Sequence, residues 1–342
     1  MILFVNDYQE GCLPEILQKL TCFNMQSNVG YGLDGHCENA ISIIKSMVKT
    51  QCDVHFIAGG TLTNKTVISE FLKSYQGVIC ADSSHIAMHE TGAIENGGHK
   101  VLTLPSVNGK LAAEDVESCV KGYIGGQMRE HTVMPGMVYI SQSTEVGTVY
   151  TLNEIKKLSA VCKKYGLYFY IDGARILYSL FAKSCDYTLS DISSYCDVFY
   201  IGGTKAGAMF GEALVINNDS LKANFRSVLK QNGALLAKGS LLGIQFEGLL
   251  ENENYKKYCK SAVENSNRIR SALKAKNIAL EIESEDTQTF AIFTNEQYAK
   301  LEKQFNFGEV TRLNGNVHAR ICTSWATSVE SVNALEKAIE NL

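Results

Sequence analysis

Short apolar segments alternate with longer amphipathic stretches through the first two thirds of the chain. The apolar segments have the length of strands that are buried on both faces, whereas stretches such as 61–75 and 152–165 have the periodicity of helices. Gly166 directly follows the second of these stretches and is predicted to end that helix. Seven segments are predicted to be strands: 54–57, 78–80, 101–104, 137–140, 167–171, 198–201 and 213–216.

Buried strands joined by helical crossovers predict an α/β fold, with a mostly parallel sheet that helices cover on both faces. The pattern changes after residue 244, where we predict a long polar helix over 251–276, alternating segments at 278–283 and 289–293, and a strand at 317–322. A final helix carries an apolar stripe of Val329, Val332, Leu335, Ile339 and Leu342. We therefore predict a large domain over 1–244 and a smaller C-terminal α+β domain over 245–342.

The composition limits the classes of partner. The 342 residues carry 32 basic and 36 acidic side chains, a net charge of −4 without a long run of one sign, so we expect no nucleic-acid partner. No segment approaches the roughly 20 apolar residues that cross a bilayer, and the N-terminus lacks the basic start of a signal peptide, so we expect no membrane partner. The eleven cysteines are scattered, without a C-x-x-C pair. This pattern is typical of free thiols in a reducing cytoplasm and disfavours a bound metal.

A glycine-rich turn stands where the predicted strand 54–57 meets the following helix. Gly59 and Gly60 let backbone N–H groups approach an anion, and the helix N-terminus adds a favourable dipole. Thr61 offers a hydroxyl to the same anion, and Asn64 lies one helical turn further on. The same residues also suit a plain helix cap after a tight turn, and this segment alone favours that simpler interpretation.

Two other apolar strands deliver charged side chains to their C-terminal ends, where open α/β sheets bind ligands. Asp172 ends one strand, and Arg175 follows three residues later with a guanidinium that grips carboxylates, although a structural Asp–Arg ion pair explains both equally well. Lys205 follows the other strand after a glycine turn. A lysine at the end of a core strand needs a partner or a chemical task, and Schiff-base formation with an aldehyde is such a task.

A histidine pair follows the predicted strand 78–80. On a helix His85 and His89 would share one face, but a metal site needs a further ligand, and the H-E-x-x-H order is absent. A core histidine is the simpler interpretation, and an imidazole that stacks on a planar cofactor is the functional one. Together these features supply what a pyridoxal phosphate (PLP) site requires: an anion cradle, an aromatic plate, an acid for the pyridine nitrogen and a lysine for the aldehyde.

The chain resembles the threonine aldolase/β-eliminating lyase family of fold-type I PLP enzymes. The motifs that carry the resemblance are G-G-T-x-x-N at 59–64, S-H-I at 84–86, D-G-A-R at 172–175 and T-K-x-G at 204–207. It implies PLP as the cofactor, a fold-type I large domain with a mixed, mostly parallel sheet, and a homodimer or homotetramer with its sites at the subunit interface. It also implies an aldehyde-lyase that cleaves L-threonine, L-allo-threonine or a related β-hydroxy-α-amino acid to glycine and an aldehyde.

The resemblance implies roles residue by residue. Lys205 would bind the aldehyde of PLP as a Schiff base, Asp172 would pair with the ring nitrogen, and His85 would stack on the ring. The other residues implied to contact the cofactor are Gly59, Gly60, Thr61, Asn64, Thr204 and Lys230. Those implied to bind the substrate are Asn6, Tyr31, Arg175 and Arg320. Tyr31 and Lys230 would reach the site across the subunit interface.

Lys230 stands where the family commonly has an arginine, and a second departure from the family pattern bears on the reaction. Many threonine aldolases have a histidine in an N-T-H-N stretch after a central strand, whereas this chain has Glu145 there. If that histidine takes the proton of the substrate hydroxyl, Glu145, a water molecule or another group must do so here. β-Elimination and amino transfer on the same scaffold therefore stay open, as does a protein that has kept the fold for binding or regulation. A dinucleotide-dependent dehydrogenase is disfavoured because no glycine fingerprint follows an early strand.

Overall fold

The alternating apolar segments form two β-sheets in the computed structural model, which describes residues 1–342. The strands are β1 (Ile2–Phe4), β2 (Asp53–Ile57), β3 (Gln76–Ala81), β4 (Val101–Leu104), β5 (Met134–Ser141), β6 (Tyr168–Asp172), β7 (Val198–Gly202), β8 (Glu212–Ile216), β9 (Ala279–Leu280), β10 (Gln288–Thr294), β11 (Phe305–Leu313) and β12 (Asn316–Cys322). All seven strands predicted before residue 244 are present, so the α/β prediction is confirmed.

Fourteen α-helices connect and cover the strands. They are α1 (Pro14–Phe23), α2 (Gly35–Val48), α3 (Gly60–Phe71), α4 (His85–Met88), α5 (Ala93–Asn96), α6 (Ala113–Gly125), α7 (Leu152–Tyr165), α8 (Ile176–Ser179), α9 (Leu189–Tyr195), α10 (Phe225–Gln231), α11 (Ser240–Leu250), α12 (Asn254–Ala275), α13 (Asn295–Leu301) and α14 (Val329–Glu340). Helix α7 has the predicted bounds. A capping box between Thr151 and Glu154 begins it, and Gly166 ends it in the left-handed conformation that glycine adopts without steric cost.

The larger sheet has the strand order β2-β8-β7-β6-β5-β3-β4. Strands β7, β6, β5, β3 and β4 run parallel to one another, and β8 is antiparallel to both of its neighbours, β7 and β2. The C-terminal ends of β2, β3, β5, β6 and β7 therefore meet at one edge, together with the N-terminal end of β8. Apolar clusters of 44 and 21 buried residues contain side chains from opposite faces of this sheet, which accounts for the near-continuous apolar strands.

The smaller sheet has the order β1-β11-β12-β10-β9 and its own core of 16 buried residues. The predicted strands 289–293 and 317–322 correspond to β10 and β12, whereas only Ala279–Leu280 of the segment 278–283 is a strand. Strand β1 at the N-terminus pairs in parallel with β11, so the first residues of the chain belong to this sheet. The predicted domain boundary at 244/245 falls inside α11 and stays a prediction.

Two sequence predictions for the C-terminal helices need correction. The polar helix predicted over 251–276 is interrupted near its start, because a short 3-10 turn at Glu251–Glu253 precedes α12. In α14 Val332, Leu335 and Ile339 are buried as the apolar stripe predicts, but Val329 is 51% exposed. Val329 is the first residue of α14 and lies beyond the surface on which the helix packs.

Candidate active site

A cavity of about 480 Å3 opens between the two sheets, at the edge where the parallel strands end. The loops after β2, β3, β5, β6 and β7 line it from the larger sheet, and β10, β11 and β12 line it from the smaller one. This is the place where open α/β sheets bind ligands. The sequence-predicted residues that line the cavity are Gly59, Gly60, Thr61, Asn64, His85, Glu145, Asp172, Arg175, Thr204, Lys205 and Arg320.

Asp172 is buried at the end of β6 and accepts hydrogen bonds on both carboxylate oxygens. Tyr139 Oη donates to Oδ2 at 2.5 Å and Asn64 Nδ2 donates at 3.1 Å, while Tyr200 Oη and the backbone N–H of Ala174 donate to Oδ1 at 2.5 and 2.9 Å. Burial raises the pKa of both tyrosine hydroxyls, so they stay protonated as donors. Four donors therefore fix the orientation of the Asp172 carboxyl group at the base of the cavity.

The Lys205 side chain lines the cavity and forms no salt bridge. Burial, together with the nearby positive charge of Arg175, lowers the pKa of its amine. The loop that carries it is held by its own neighbours: Tyr178 Oη donates to the Lys205 carbonyl at 2.6 Å, and Thr204 Oγ1 donates to Glu212 at 2.9 Å. The backbone of Lys205 is therefore held in place, and the lowered pKa increases the neutral fraction of its amine, which is the nucleophilic form.

Glu212 is a further cavity residue that the sequence prediction missed. It is buried at the start of β8, and it also accepts a hydrogen bond from the Gly203 N–H at 3.2 Å. Burial raises the pKa of Glu212 to about 8. The sequence search considered only the C-terminal ends of strands, whereas β8 is antiparallel and brings its first residue to the same edge.

The turn before α3 has free donors for an anion. Helix α3 begins at Gly60, and the preceding Gly59 provides no side-chain cap, so N–H groups of the first turn lack intrahelical partners. A Cβ at Gly60 would lie 3.2 Å from Tyr200 Oη, so a side chain here would press on the hydroxyl that donates to Asp172. Asn64 lies deeper than the predicted cradle, where its amide bridges Asp172 and Glu90 rather than pointing to the helix start.

His85 is the first residue of α4, and its partly exposed ring lies at the cavity. Ring nitrogen Nδ1 is 2.8 Å from Oε1 of Glu90, a buried carboxylate that holds the ring in place. The backbone N–H of His85 donates to Glu145 Oε1 at 2.7 Å, and Ser141 Oγ donates to the same oxygen at 2.6 Å. Burial raises the pKa of Glu145, although these two hydrogen bonds oppose the shift.

The two predicted arginines differ in their surroundings. Arg175 forms a two-pronged ion pair with Asp7, with Nε and Nη2 at 2.7 and 3.1 Å from the carboxylate oxygens. Asp7 is fully buried and was not predicted, and Arg175 Nη1 remains without a protein partner. Arg320 comes from β12 and pairs through Nη1 with Glu309 at 2.6 Å, while its buried Nε has no hydrogen-bond partner.

Three predicted site residues do not line the cavity. Asn6 accepts a hydrogen bond from the Tyr8 N–H at 2.9 Å, and its neighbours Asp7 and Tyr8 come closer to the site than it does. Tyr31 and Lys230 lie together elsewhere on the surface, with the lysine Nζ 4.7 Å from the centre of the tyrosine ring. Within one chain, neither of these two side chains reaches the cavity.

The residues present fit PLP. A cradle of free N–H groups, a carboxylate held by four donors, a stacking ring and an unpaired amine surround one cavity. There is no group of three or more His, Cys, Asp or Glu residues that could hold a metal ion. None of the helices has both the length and the apolar character needed to span a membrane, and all eleven cysteines are free.

Comparison with known proteins gives consistent matches. The beta-eliminating lyase family matches residues 11–297. The chain is 34% identical over 252 residues to the low specificity L-threonine aldolase of Pseudomonas sp. (strain NCIMB 10558), which covers 73% of this chain and 71% of that protein. A solved structure of threonine aldolase from Leishmania major is 43% identical and superposes with a TM-score of 0.97, covering 100% of this chain and 99% of that one.

A more distant likeness concerns the fold alone. An aspartate aminotransferase from Thermus thermophilus, a double mutant, superposes with a TM-score of 0.74 at 12% identity, over 100% of this chain and 92% of that one. The shared architecture is that of fold-type I PLP enzymes, as the sequence motifs imply.

Proposed function

The chain belongs to the beta-eliminating lyase family, and from this premise we propose that it cleaves L-threonine, L-allo-threonine or a related β-hydroxy-α-amino acid to glycine and an aldehyde. It is a PLP-dependent carbon–carbon lyase with the fold-type I architecture. The observation that carries the proposal is the unpaired Lys205 amine, which lines the same cavity as the four-donor carboxylate of Asp172.

The residues that line the cavity support one role each towards the cofactor. Lys205 would hold its aldehyde carbon, and the turn of Gly59, Gly60 and Thr61 would hold its phosphate. Asp172 would face the ring nitrogen, oriented from behind by Asn64, and the His85 ring would stack on the cofactor. Thr204 supports this arrangement through its hydrogen bond to Glu212. When bound, PLP supplies a covalent link for an amino group and a ring that accepts the electron pair released at Cα.

The substrate would enter with its carboxylate towards the smaller sheet. Arg320 and the free Nη1 of Arg175 offer donors to that carboxylate, while Asn6 lies next to the residues that shape this side of the cavity. Glu145 would take the proton from the β-hydroxyl, after which the Cα–Cβ bond breaks and the aldehyde leaves. A proton added at Cα then gives glycine, so the atoms of the amino acid are divided between the two products.

Replacement of Lys205 by Ala tests this assignment. The Lys205→Ala protein should release no aldehyde from threonine under steady-state conditions, because no other amine in the cavity can hold the cofactor. Its visible absorbance with added PLP should also lack the band of a lysine-bound cofactor. The matched control is Lys303→Ala, which removes an exposed lysine of the smaller sheet region and should behave as the wild type. Undiminished aldehyde release by the Lys205→Ala protein would contradict the assignment of Lys205 as the residue that holds the cofactor.

We also propose that the enzyme is a homodimer or homotetramer in the cytoplasm. Tyr31 and Lys230 support an oligomer. They resemble family residues of the site, yet they lie together on the surface, outside the cavity of their own chain. Eleven free cysteines, seven of them buried, suit a reducing compartment.

A further inference from the structure

Glu309 contacts the arginine to which the substrate carboxylate is assigned. Its Oε1 lies 2.6 Å from Arg320 Nη1, and both residues line the cavity. The arginine side chain is 16% exposed, whereas the glutamate side chain is 56% exposed at the mouth. A carboxylate of the protein therefore occupies one of the donors that a substrate carboxylate would use.

The backbone brings Glu309 to this position by an irregularity in β11. The register between β11 and β12 shifts between Gly308 and Val310, so Glu309 is the extra residue of a β-bulge. Its φ of 48° lies in the left-handed region, which glutamate seldom adopts. Bulges near binding sites re-aim side chains, and here the bulge turns an exposed carboxylate towards the cavity.

Gly308 lies against both the N-terminal strand segment and the arginine that Glu309 contacts. It is paired with Arg320 across the two strands, and a Cβ at this position would lie 2.1 Å from the Val5 carbonyl oxygen and 3.3 Å from Arg320 Nη2. The guanidinium thus lies against bare backbone, with its Nε buried and unpartnered and its Nη1 also 3.4 Å from Gln288 Oε1. Some N–H donors of Arg320 therefore have no partner, and its one short ion pair is with the exposed side chain of Glu309.

Two possible roles of Glu309 predict opposite changes in substrate affinity when its charge is removed. A structural clamp would orient Arg320 for the substrate, and its loss would weaken substrate binding. A competitor would have to be displaced by the substrate, and its loss would strengthen binding. The high exposure of the glutamate favours displacement, because an ion pair with a largely solvated carboxylate contributes little free energy and is easily replaced.

We propose that Glu309 is a built-in competitor of the substrate α-carboxylate for Arg320 and thereby sets the affinity of the enzyme for amino acids. This inference rests on the proposed function, in which Arg320 receives that carboxylate. Glu309 acts through Arg320 and takes part in no bond-breaking step, so its effect is on binding and is shared by the ground state and the transition state.

The test is the Glu309→Gln variant, which keeps the shape and removes the charge. The KM for threonine should fall about 2- to 5-fold, the range expected for a partly exposed ion pair, while kcat stays within about 2-fold. Titration of the holoenzyme with glycine, followed by the visible absorbance of the bound cofactor, should give a dissociation constant that falls by a similar factor. Glu296→Gln is the matched control, since it removes an 84% exposed carboxylate that pairs with Lys300 away from the cavity, and it should change neither quantity.

An unchanged or raised KM and glycine dissociation constant in Glu309→Gln would overturn the inference. The effect must also depend on the arginine: in an Arg320→Lys background the same substitution should alter glycine binding by less than in the wild type, and an undiminished effect there would likewise overturn it. Aldehyde release by the wild-type enzyme tests the proposed function separately. If it fails, the glycine titration still decides whether Glu309 competes with a carboxylate.

Discussion

Glu145 combines two properties that a general base needs in this cavity. Its Oε1 is held by the His85 N–H and by Ser141 Oγ, so the carboxylate has a defined direction. Burial raises its pKa above the ordinary glutamate value of 4.5, which strengthens it as a proton acceptor. At the level of sequence, the family resemblance implied only that Glu145 replaces a histidine common in threonine aldolases. Its surroundings in the structure support the proposal that Glu145 takes the proton of the substrate hydroxyl.

We therefore expect Glu145→Gln to reduce kcat for threonine by about 10²- to 10⁴-fold, the usual contribution of a positioned base. A general base acts in its ionised form, so if Glu145 has this role the wild-type kcat should fall as the pH is lowered through its raised pKa. Measurement of kcat against pH should show this acid limb in the wild type and lose it in the variant.

The hydrogen bond from Ser141 provides an internal control for that profile. This bond lowers the pKa of Glu145, so Ser141→Ala should move the acid limb to higher pH without abolishing activity. A Glu145→Gln protein that retains both its kcat and its acid limb would exclude Glu145 as the base.

Strand direction decides which site residues the sequence could reveal. Asp172 ends one parallel apolar strand and Lys205 follows another, and these positions, together with the family motifs, predicted that both line one cavity. Glu212 escaped because β8 runs the other way, which only the strand pairing shows. Tyr139 and Tyr200 lie inside strands, where an aromatic residue is ordinarily part of the core, and nothing local indicates that both hydroxyls meet Asp172.

Long-range pairing also explains the elements that were not predicted. Strand β1 has three residues and pairs with β11 at positions more than 300 residues away, so no local periodicity marks it. The same pairing places Asp7, just after β1, against Arg175 of the larger sheet. In the smaller sheet the sequence predicted β10, β12 and an alternating segment that contains β9, but neither β1 nor β11.

Strand β2 contains a buried histidine that makes the larger sheet sensitive to acid. The His55 ring lies 5.0 Å from the ring of Phe225, and its Nε2 has no hydrogen-bond partner. Burial lowers the pKa of His55 from 6.5 to about 4. The folded protein thus keeps this ring neutral, whereas the unfolded chain binds a proton near pH 6.5, so the contribution to stability is lost as the pH falls from 6.5 to 4.

Replacement of His55 by Phe should remove this part of the acid sensitivity. Between pH 7.5 and 5 the histidine costs the wild type about 2 kcal/mol of unfolding free energy, from the size of the pKa shift. Urea unfolding at the two pH values should therefore show a drop that is smaller by about that amount in His55→Phe. An equal drop in both proteins would mean that His55 is not the responsible group.

The surface around Tyr31 indicates how complete molecules associate. The loop between α1 and α2 exposes Met25, Val29 and Leu33 at 90%, 62% and 56%, next to Tyr31. An apolar loop beside two residues that resemble parts of the family's site fits a contact with a second copy of the chain. Each cavity would then receive Tyr31 and Lys230 from the neighbouring subunit.

Mixed oligomers of two inactive variants test this arrangement. Lys205→Ala removes the cofactor-holding amine, and Lys230→Ala removes the residue assigned to the neighbouring site. Co-expressed in equal amounts, they should recover roughly a quarter of the wild-type aldehyde release, because half of randomly paired dimers are mixed and each has one complete site. No recovery in mixed oligomers would place Lys230 outside the neighbour's site.

The products formed from L-threonine test the central claim most directly. The holoenzyme should release acetaldehyde and glycine in a 1:1 ratio, quantified together over the course of one reaction, because cleavage of the Cα–Cβ bond divides the substrate into these two molecules. Formation of 2-oxobutyrate and ammonia in their place would contradict the account, since those products arise from loss of the β-hydroxyl with the carbon chain intact.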